Sequence, residues 1–249
     1  KLQRNGPRDY YEGEVAAAIV KDIAALGGII DAHDLKHFHA RIAAPLEIDY
    51  RGAKIALAGG LTAGPSIARV LNALKGQAFP AGGPGPAAFV AYAQALRDAY
   101  AERLATMGEA DDSMNPGCTS HFNVIDRAGN MVAVTQTLLS VFGSRLVLPT
   151  TGILMNNGIM WFDPRPESPN YFAPGKRPLT NMCPLIARRN DHGWFSIGAS
   201  GGRKIMPAVM QITSFLTDHG MTLENAFHQP RIDASGSETV GVDPRHPPD

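Results

Sequence analysis

The chain has 249 residues, of which 44% are apolar and 18% are charged, a composition typical of a globular protein rather than a disordered one. Its 23 basic and 23 acidic residues give zero formal charge and form no basic run, so we expect neither a nucleic-acid partner nor an anionic membrane surface. No stretch reaches the roughly 18 apolar residues of a membrane span, and two cysteines are too few for a disulfide scaffold.

The first 110 residues are predicted to be mostly helical. Apolar residues recur at helical spacing over residues 14–26, 66–74 and 87–107. The first pattern ends in Gly27-Gly28 and the third in Gly108, and glycine at this position is typical of a helix C-terminus. Residues 54–58 are apolar after Lys54 and precede a glycine-rich turn, which favours a short buried strand. We therefore expect several helices around one strand.

The rest of the chain is predicted to be rich in strands. A cluster of helix-breaking residues at 111–117 is interpreted as a linker. Beyond it, residues 121–126 and 131–138 flank a short turn that favours a β-hairpin. Aligning the strands through that turn places Asp126 opposite Met131 and Thr119 opposite Leu138, with Thr137 beside Thr119. Further strands are predicted at 152–155, 185–188 and 194–198, before a helix from about 204 to 218.

A group of histidines and carboxylates could in principle bind a metal. His33 and His37 would share one helix face, with His39, Asp31 and Asp34 nearby. However, no third ligand follows at a recognised spacing, and Asp31 with an acidic residue three positions on is typical of a helix N-cap. A solvated helix face explains the pattern, and we expect no metal site.

The glycine-rich loop at residues 198–204 allows more than one interpretation. It is not a phosphate-binding Walker loop, because its lysine is not followed by serine or threonine. Its serine, Ser200, formally matches a hydrolase nucleophile elbow, which would need Asp218 and either His219 or His228 as triad partners. Alternatively, the amides of Gly201 and Gly202 at a helix start could form an oxyanion hole. A tight strand-to-helix turn is compatible with each interpretation.

The sequence Cys118-Thr119-Ser120-His121 opens the first strand of the second half. A threonine at a strand start is ordinary. The alternative is self-cleavage before Thr119, which would make that residue N-terminal. Its α-amino group would titrate near pH 8 and could accept the proton of its own hydroxyl group. One residue would then supply both the nucleophile and the base.

A set of motifs, taken in chain order, resembles the pattern of one family of two-subunit enzymes. Four motifs resemble the end of that family's large subunit: Tyr10-Tyr-Glu-Gly13, Gly27-Gly28 with Asp34-Leu35, Tyr50-Arg-Gly52 and Tyr100-x-x-Arg103. A second, longer set resembles the family's small subunit. It consists of Thr119-Ser-His-Phe-Asn-Val-Ile-Asp126, Ala128-Gly-Asn130, Thr135-Gln-Thr137, Phe142-Gly-Ser144, Gly152-Ile-Leu-Met-Asn-Asn157, Pro174-Gly-Lys-Arg-Pro-Leu179, Met182, Pro184, Gly201-Gly202 and Gln229-Pro-Arg231. Together these motifs resemble the γ-glutamyltransferase family of N-terminal-nucleophile hydrolases, and the resemblance covers nearly the whole chain.

The resemblance implies an α+β fold, a four-layer αββα sandwich that would be incomplete here. It also implies a division into residues 1–118, the mostly helical end of a large subunit, and residues 119–249, the β-rich start of a small subunit. Residues 1–9 lack the apolar segment of a signal peptide, and both ends suggest a central piece of a longer precursor. The upstream half of the large subunit would be a partner, and localisation is not assigned.

The family's catalytic roles fall on four residues of this chain. Thr119 takes the position of the autoprocessing residue and nucleophile, with cleavage between Cys118 and Thr119. Thr137 takes the position that hydrogen-bonds the nucleophile. Gly201 and Gly202 take the positions of the oxyanion-hole glycines. The implied reaction transfers an acyl group from a small-molecule amide to water or an amine through an acyl-enzyme, without metal or cofactor.

The substrate-binding positions depart from the family pattern. Thr180 and Asn181 replace two serines that contact the substrate carboxylate, and both can still donate hydrogen bonds. Around the substrate ammonium group, however, this chain has Leu139, Gly158 and Trp161 in place of polar residues. A desolvated ammonium group without a partner is costly, so we expect amides whose acyl group lacks the amine, such as glutaryl amides.

Two alternatives stay open. The alignment could slip near Trp161, or another side chain could supply the missing charge, and γ-glutamyl amides would then be the substrates. The protein could also be an unprocessed or degenerate relative that acts as a structural or binding module.

Overall fold

The computed structural model describes residues 1–108, 117–235 and 238–246. The helices are α1 Leu2–Asn5, α2 Asp9–Glu12, α3 Glu14–Ala25, α4 Ala32–His37, α5 Gly64–Leu74, α6 Pro86–Met107, α7 Ile205–Thr217 and α8 Leu223–His228, with 3-10 turns at Gly158–Trp161 and Gly202–Lys204. The strands are β1 Leu46–Tyr50, β2 Ala53–Leu57, β3 Gly117–Ile125, β4 Met131–Ser140, β5 Leu185–Arg189, β6 His192–Ile197, β7 Ile232–Asp233 and β8 Gly241–Val242. None of these helices is long and apolar enough to cross a lipid bilayer.

A four-stranded antiparallel sheet in the order β1-β2-β5-β6 forms the centre of the molecule. Alternate residues of its inner strands point to one face, where Ile55, Leu57, Leu185 and Ala187 are fully buried. Helices α5, α6 and α7 cover that face and complete one continuous apolar core. Burial of this face is the main apolar contribution to stability.

The β3–β4 hairpin packs against the opposite face of this sheet. Ala56 and Ile186 on that face line a groove together with Ala133 of β4. Near the hairpin turn, Gly193 lies so close to Met131 that an added Cβ would meet its sulfur at 2.8 Å. The result is a stack of helices, sheet and hairpin, which confirms the predicted α+β fold class.

The predicted hairpin exists, but its predicted register was wrong by one residue. Thr119 lies directly opposite Thr137, and this register continues to Ile125 opposite Met131. A β-bulge between Cys118 and Thr119 then shifts the pairing, so that only the first residues of β3 follow the predicted register. The bulge therefore marks the proposed cleavage point in the backbone.

The remaining element predictions were mostly confirmed. Helices α3, α5, α6 and α7 begin and end within about two residues of their predicted bounds, and β2, β5 and β6 were also predicted. The predicted strand at 152–155 was wrong, because only an isolated bridge between Leu154 and Val147 forms there. Strand β1 was missed. The predicted linker at 111–117 lies outside the described residues, except for Gly117, which starts β3.

Candidate active site

The side chains of Thr119 and Thr137 meet across the hairpin. Because directly paired residues on neighbouring strands place their side chains on the same face, the observed register brings the two hydroxyl groups together. Thr119 Oγ1 donates a hydrogen bond to Thr137 Oγ1 at 3.1 Å. The contact expected from the sequence is therefore present, although the register that produces it differs by one residue.

The Thr137 hydroxyl group connects the Thr119 hydroxyl group with the peptide bond before it. It donates a hydrogen bond to the carbonyl oxygen of Cys118 at 2.9 Å and accepts one from the backbone amide of Leu139 at 2.9 Å. With the bond from Thr119, this hydroxyl group uses its one donor and both acceptor positions. The arrangement directs the proton of the Thr137 hydroxyl group toward the Cys118 carbonyl oxygen.

Leu139 contributes through its backbone, which the sequence did not indicate. Its φ angle is 75°, a left-handed conformation that costs a non-glycine residue about 1–3 kcal/mol. The side chain is only 5% exposed, so surrounding packing holds this conformation. The amide is thereby aimed at Thr137. The proposed contact of the Leu139 side chain with the substrate stays a prediction.

The loop at residues 198–204 brings two glycines in left-handed conformations to the start of α7. Gly201 has φ 128° and Gly202 has φ 57°, and these angles favour glycine over other residues. No atom of the described residues accepts a hydrogen bond from either amide. A helix N-terminus favours negative charge, so the turn can hold an oxyanion. The Tyr100 hydroxyl group fixes this turn by donating to the Arg203 carbonyl oxygen at 2.5 Å.

His121 links strand β3, which contains Thr119, to this loop and was not predicted as a site residue. An added Cβ on Gly198 would meet the His121 ring at 2.3 Å, so glycine is required for this approach. The ring nitrogens contact Thr135 Oγ1 at 2.8 Å and Asn123 Oδ1 at 3.0 Å. Because His121 lies two residues after Thr119, both side chains share one face of β3. This spacing of two residues is the feature of the sequence that could have identified His121 as a site residue.

The proposed carboxylate-binding residues, Thr180 and Asn181, are held by Arg103 of α6. Arg103 is 2% exposed. Its guanidinium group donates to the carbonyl oxygens of Thr62 and Thr180 at 2.9 and 2.8 Å and to Asn181 Oδ1 at 3.1 Å. The Thr180 amide and hydroxyl group both donate to the Leu61 carbonyl oxygen, at 3.0 and 3.2 Å. The segment is therefore bound tightly to the first half of the chain.

Trp161 belongs to the same framework. Its ring lies over Gly158, where an added Cβ would meet a ring carbon at 3.2 Å. Asn170 is buried and donates to the Trp161 carbonyl oxygen at 2.6 Å, while its own Oδ1 accepts from the Leu179 amide at 3.0 Å. The half-buried indole and the segment that begins at Leu179 are thus connected through one amide side chain.

The nucleophile-elbow interpretation of Ser200 is wrong. Ser200 precedes α7, whereas Asp218 and His219 follow its 13 residues, a separation of about 20 Å along the helix axis. The Asp218 carboxylate is already engaged by Arg51 at 2.6 Å. His219 is buried beside it, and His228 lies at the exposed end of α8. No Ser–His–Asp geometry forms among these residues.

Within the acidic and histidine cluster near α4, the two carboxylates cap the helix. Asp31 accepts from the Asp34 amide at 2.9 Å, and Asp34 accepts from the Asp31 amide at 3.1 Å, which forms a capping box. Asp31, His33 and Asp34 are exposed, with possible ligand atoms within 4.8 Å of one another. The His37 ring contacts the His33 ring at a tilt of 31°, with centroids 3.9 Å apart. The predicted N-cap is confirmed.

Several known proteins are similar in sequence to this chain. The family model described as Gamma-glutamyltranspeptidase matches residues 1–117 and 105–249. The Acylase ACY 1 proenzyme of Pseudomonas sp. strain V22 is 32% identical over 94% of this chain and 49% of its own length. The Glutathione hydrolase proenzyme of Escherichia coli strain K12 is 29% identical over 93% of this chain and 48% of its own length.

A solved structure shares the fold of the whole chain. The cephalosporin acylase from Bacillus halodurans superposes with a TM-score of 0.85 at 24% sequence identity, over 99% of this chain and 51% of that protein. The chain thus spans about half the length of the curated relatives it matches.

Proposed function

The chain belongs to the γ-glutamyltranspeptidase family, and from this premise we propose that it forms the catalytic part of an autoprocessed amidohydrolase or acyltransferase. The proposal rests mainly on one observation. A chain of hydrogen bonds runs from the Thr119 hydroxyl group through Thr137 to the carbonyl oxygen of Cys118. This links the proposed nucleophile to the carbonyl group that it would attack during processing.

Processing would occur by transfer of an acyl group from nitrogen to oxygen. Thr119 Oγ attacks the Cys118 carbonyl carbon, and the C–N bond between the two residues breaks as the nitrogen takes a proton. Water then hydrolyses the resulting ester to the Cys118 carboxylate and a free Thr119 hydroxyl group. The Thr137 hydroxyl group assists because it donates to the oxygen on which negative charge develops. Residues 1–118 and 119–249 would then belong to separate subunits.

The processed threonine would carry both groups that amide cleavage needs. Its α-amino group, with an ordinary pKa of about 7.7–8.0, accepts the hydroxyl proton at neutral pH. Thr119 Oγ attacks the substrate amide carbon, and the amides of Gly201 and Gly202 stabilise the oxyanion. The leaving amine departs with a proton. Water or a second amine then attacks the acyl ester on Thr119 and releases the acyl product.

The substrates proposed for this site are amides whose acyl group ends in a carboxylate. Asn181 would donate to that carboxylate, with Thr180 beside it. The names of the relatives, acylase and glutathione hydrolase, leave open whether the acyl group carries an amine. The Trp161 indole lies over Gly158 and supplies an apolar surface rather than a charge. We therefore favour glutaryl amides over γ-glutamyl amides.

A kinetic comparison on the full-length protein tests this assignment. Glutaryl and γ-glutamyl 4-nitroanilides differ only in the α-amino group, so the ratio of their kcat/KM values measures the effect of that group. We expect the glutaryl compound to be favoured by about tenfold or more. A preference for the γ-glutamyl compound would overturn the glutaryl assignment. Thr119→Ala should hydrolyse neither compound and serves as the control for contaminating amidases.

The non-enzymatic alternative gives a different result in the same experiment. A degenerate relative that acts as a binding module would stay uncleaved between Cys118 and Thr119 and would hydrolyse neither anilide. The continuous hydrogen-bond chain at Thr137 favours the enzymatic function, because a module without catalysis has no need for this arrangement.

A further inference from the structure

Helix α6 presents two buried polar side chains, one turn apart, to the proposed active site. Tyr100 is 1% exposed and Arg103 is 2% exposed, and residues three apart lie on the same helix face. Tyr100 binds the turn that contains the oxyanion glycines, and Arg103 binds the proposed carboxylate segment. One helix face therefore contacts both parts of the site.

The contacts of Arg103 lie on both sides of the proposed cleavage point. Its Nη1 binds the Thr62 carbonyl oxygen, which precedes that point, and its Nη2 binds Thr180 and Asn181, which follow it. Buried hydrogen bonds from a charged group are stronger than those between neutral groups. These bonds do not involve the Cys118–Thr119 peptide bond, so processing leaves them intact.

Arg103 also determines how the Asn181 amide is oriented. A guanidinium group can only donate hydrogen bonds, so the Asn181 oxygen rather than its nitrogen must face Arg103. The Nδ2 group, with its two protons, then points away from the guanidinium. Asn181 is 5% exposed, and within the described ranges it accepts from Arg103 while no protein atom accepts a hydrogen bond from its Nδ2. The neighbouring Thr180 hydroxyl group, by contrast, donates to the Leu61 carbonyl oxygen.

We propose that Arg103 is a positioning residue for carboxylate recognition, which holds Asn181 so that its Nδ2 protons are available to the carboxylate of the acyl group. Arg103 itself does not contact the substrate. Its effect passes through one amide side chain across the boundary between the two proposed subunits. The inference rests on the proposed function, in which Asn181 contacts that carboxylate.

The test compares Arg103→Lys with the wild type in the full-length protein. Lysine keeps the charge but cannot reach three acceptors with one planar group. The substrates are glutaryl 4-nitroanilide and its methyl ester, which lacks the carboxylate. We expect KM for the acid to rise about tenfold, with kcat changed by less than about threefold and the ester little affected. A general loss of folded protein would instead lower kcat for both compounds.

Two further variants isolate the route through Asn181. In an Asn181→Ser background no amide requires orientation, so Arg103→Lys should change KM for the acid by less than about twofold. Arg97→Lys is the matched control, because Arg97 lies on the same helix but is exposed, and its kinetics should equal those of the wild type. Unchanged selectivity for the acid in Arg103→Lys, or an equal loss in the Asn181→Ser background, would overturn the inference.

A binding measurement separates failure of this inference from failure of the proposed function. Calorimetric titration with glutarate and with glutaramide, which has no carboxylate, requires no turnover. The wild type could hydrolyse neither anilide and still bind glutarate in preference to glutaramide. If Arg103→Lys then removes that preference, the positioning role of Arg103 is supported although the proposed reaction is wrong. If the wild type does not distinguish the two ligands, the inference is wrong.

Discussion

Replacing Thr137 by valine removes one hydroxyl group and leaves a side chain of nearly the same shape. In the folded precursor this hydroxyl group makes three hydrogen bonds, with Thr119, Cys118 and Leu139. The Leu139 amide would be left unpaired next to a buried side chain, which costs about 1–3 kcal/mol of unfolding free energy. That loss is tolerable for a typical domain.

The effect on processing should be larger than the effect on stability. Negative charge develops on the Cys118 carbonyl oxygen during attack, and loss of one donor to such an oxygen slows a reaction by about 10²–10³-fold. The rate of precursor cleavage, followed by gel densitometry after purification, measures this directly. Thr137→Ser keeps the hydroxyl group and should process within about tenfold of the wild type.

The matched control is Thr135→Val, which removes another hydroxyl group from β4. Thr135 binds His121 rather than the Cys118 carbonyl oxygen, so we expect cleavage within about tenfold of the wild-type rate. Folding of each variant is checked by thermal unfolding. A folded Thr137→Val protein that cleaves at the wild-type rate would refute the proposed role of Thr137.

Three further predictions concern other parts of the molecule. Tyr100→Phe removes the hydrogen bond to the Arg203 carbonyl oxygen and loosens the turn that contains Gly201 and Gly202. If these glycines bind the oxyanion as proposed, kcat should fall about tenfold with KM within about twofold in steady-state kinetics; an unchanged kcat would contradict this. Burial raises the pKa of the Cys183 thiol to about 12, so an aromatic disulfide reagent at pH 8 should label Cys118 at once and Cys183 only after unfolding. Hydrogen bonds from Arg165 hold the pKa of the Asp163 carboxyl group well below its ordinary 3.8. Asp163→Asn should therefore lower the melting temperature above about pH 4, with the difference from wild type disappearing in stronger acid; an equal difference at all pH values would contradict this.

Local signals in the sequence accounted for most of the elements. Helix α3 ends before Gly27-Gly28, and α4 begins at the capping box of Asp31, because caps depend on residues within one turn. The hairpin was also predicted, since its turn chemistry is local. Its register was not, because Asp126 belongs to the turn, where its side chain accepts hydrogen bonds from the Ala128 and Asn130 amides, so that Ile125 rather than Asp126 pairs with Met131.

Contacts between residues that are far apart in the chain were harder to predict from the sequence. The family resemblance assigned Thr119 and Thr137 by position, and the structure brings them together. Arg103 was part of a recognised motif, but its partners are 41 and 78 residues away, and no periodicity predicts such contacts. The backbone role of Leu139 depends on a left-handed conformation that leucine adopts only when tertiary packing enforces it.

The position of chain cleavage tests the central claim most directly, because every proposed catalytic step requires Thr119 to become an N-terminal residue. Mass spectrometry of the purified full-length protein, combined with N-terminal sequencing of the smaller fragment, locates the cleaved bond. We predict one cleavage, between Cys118 and Thr119, with a fragment that begins Thr-Ser-His-Phe and is absent from Thr119→Ala. An intact chain, or a fragment that begins at any other residue, would contradict it.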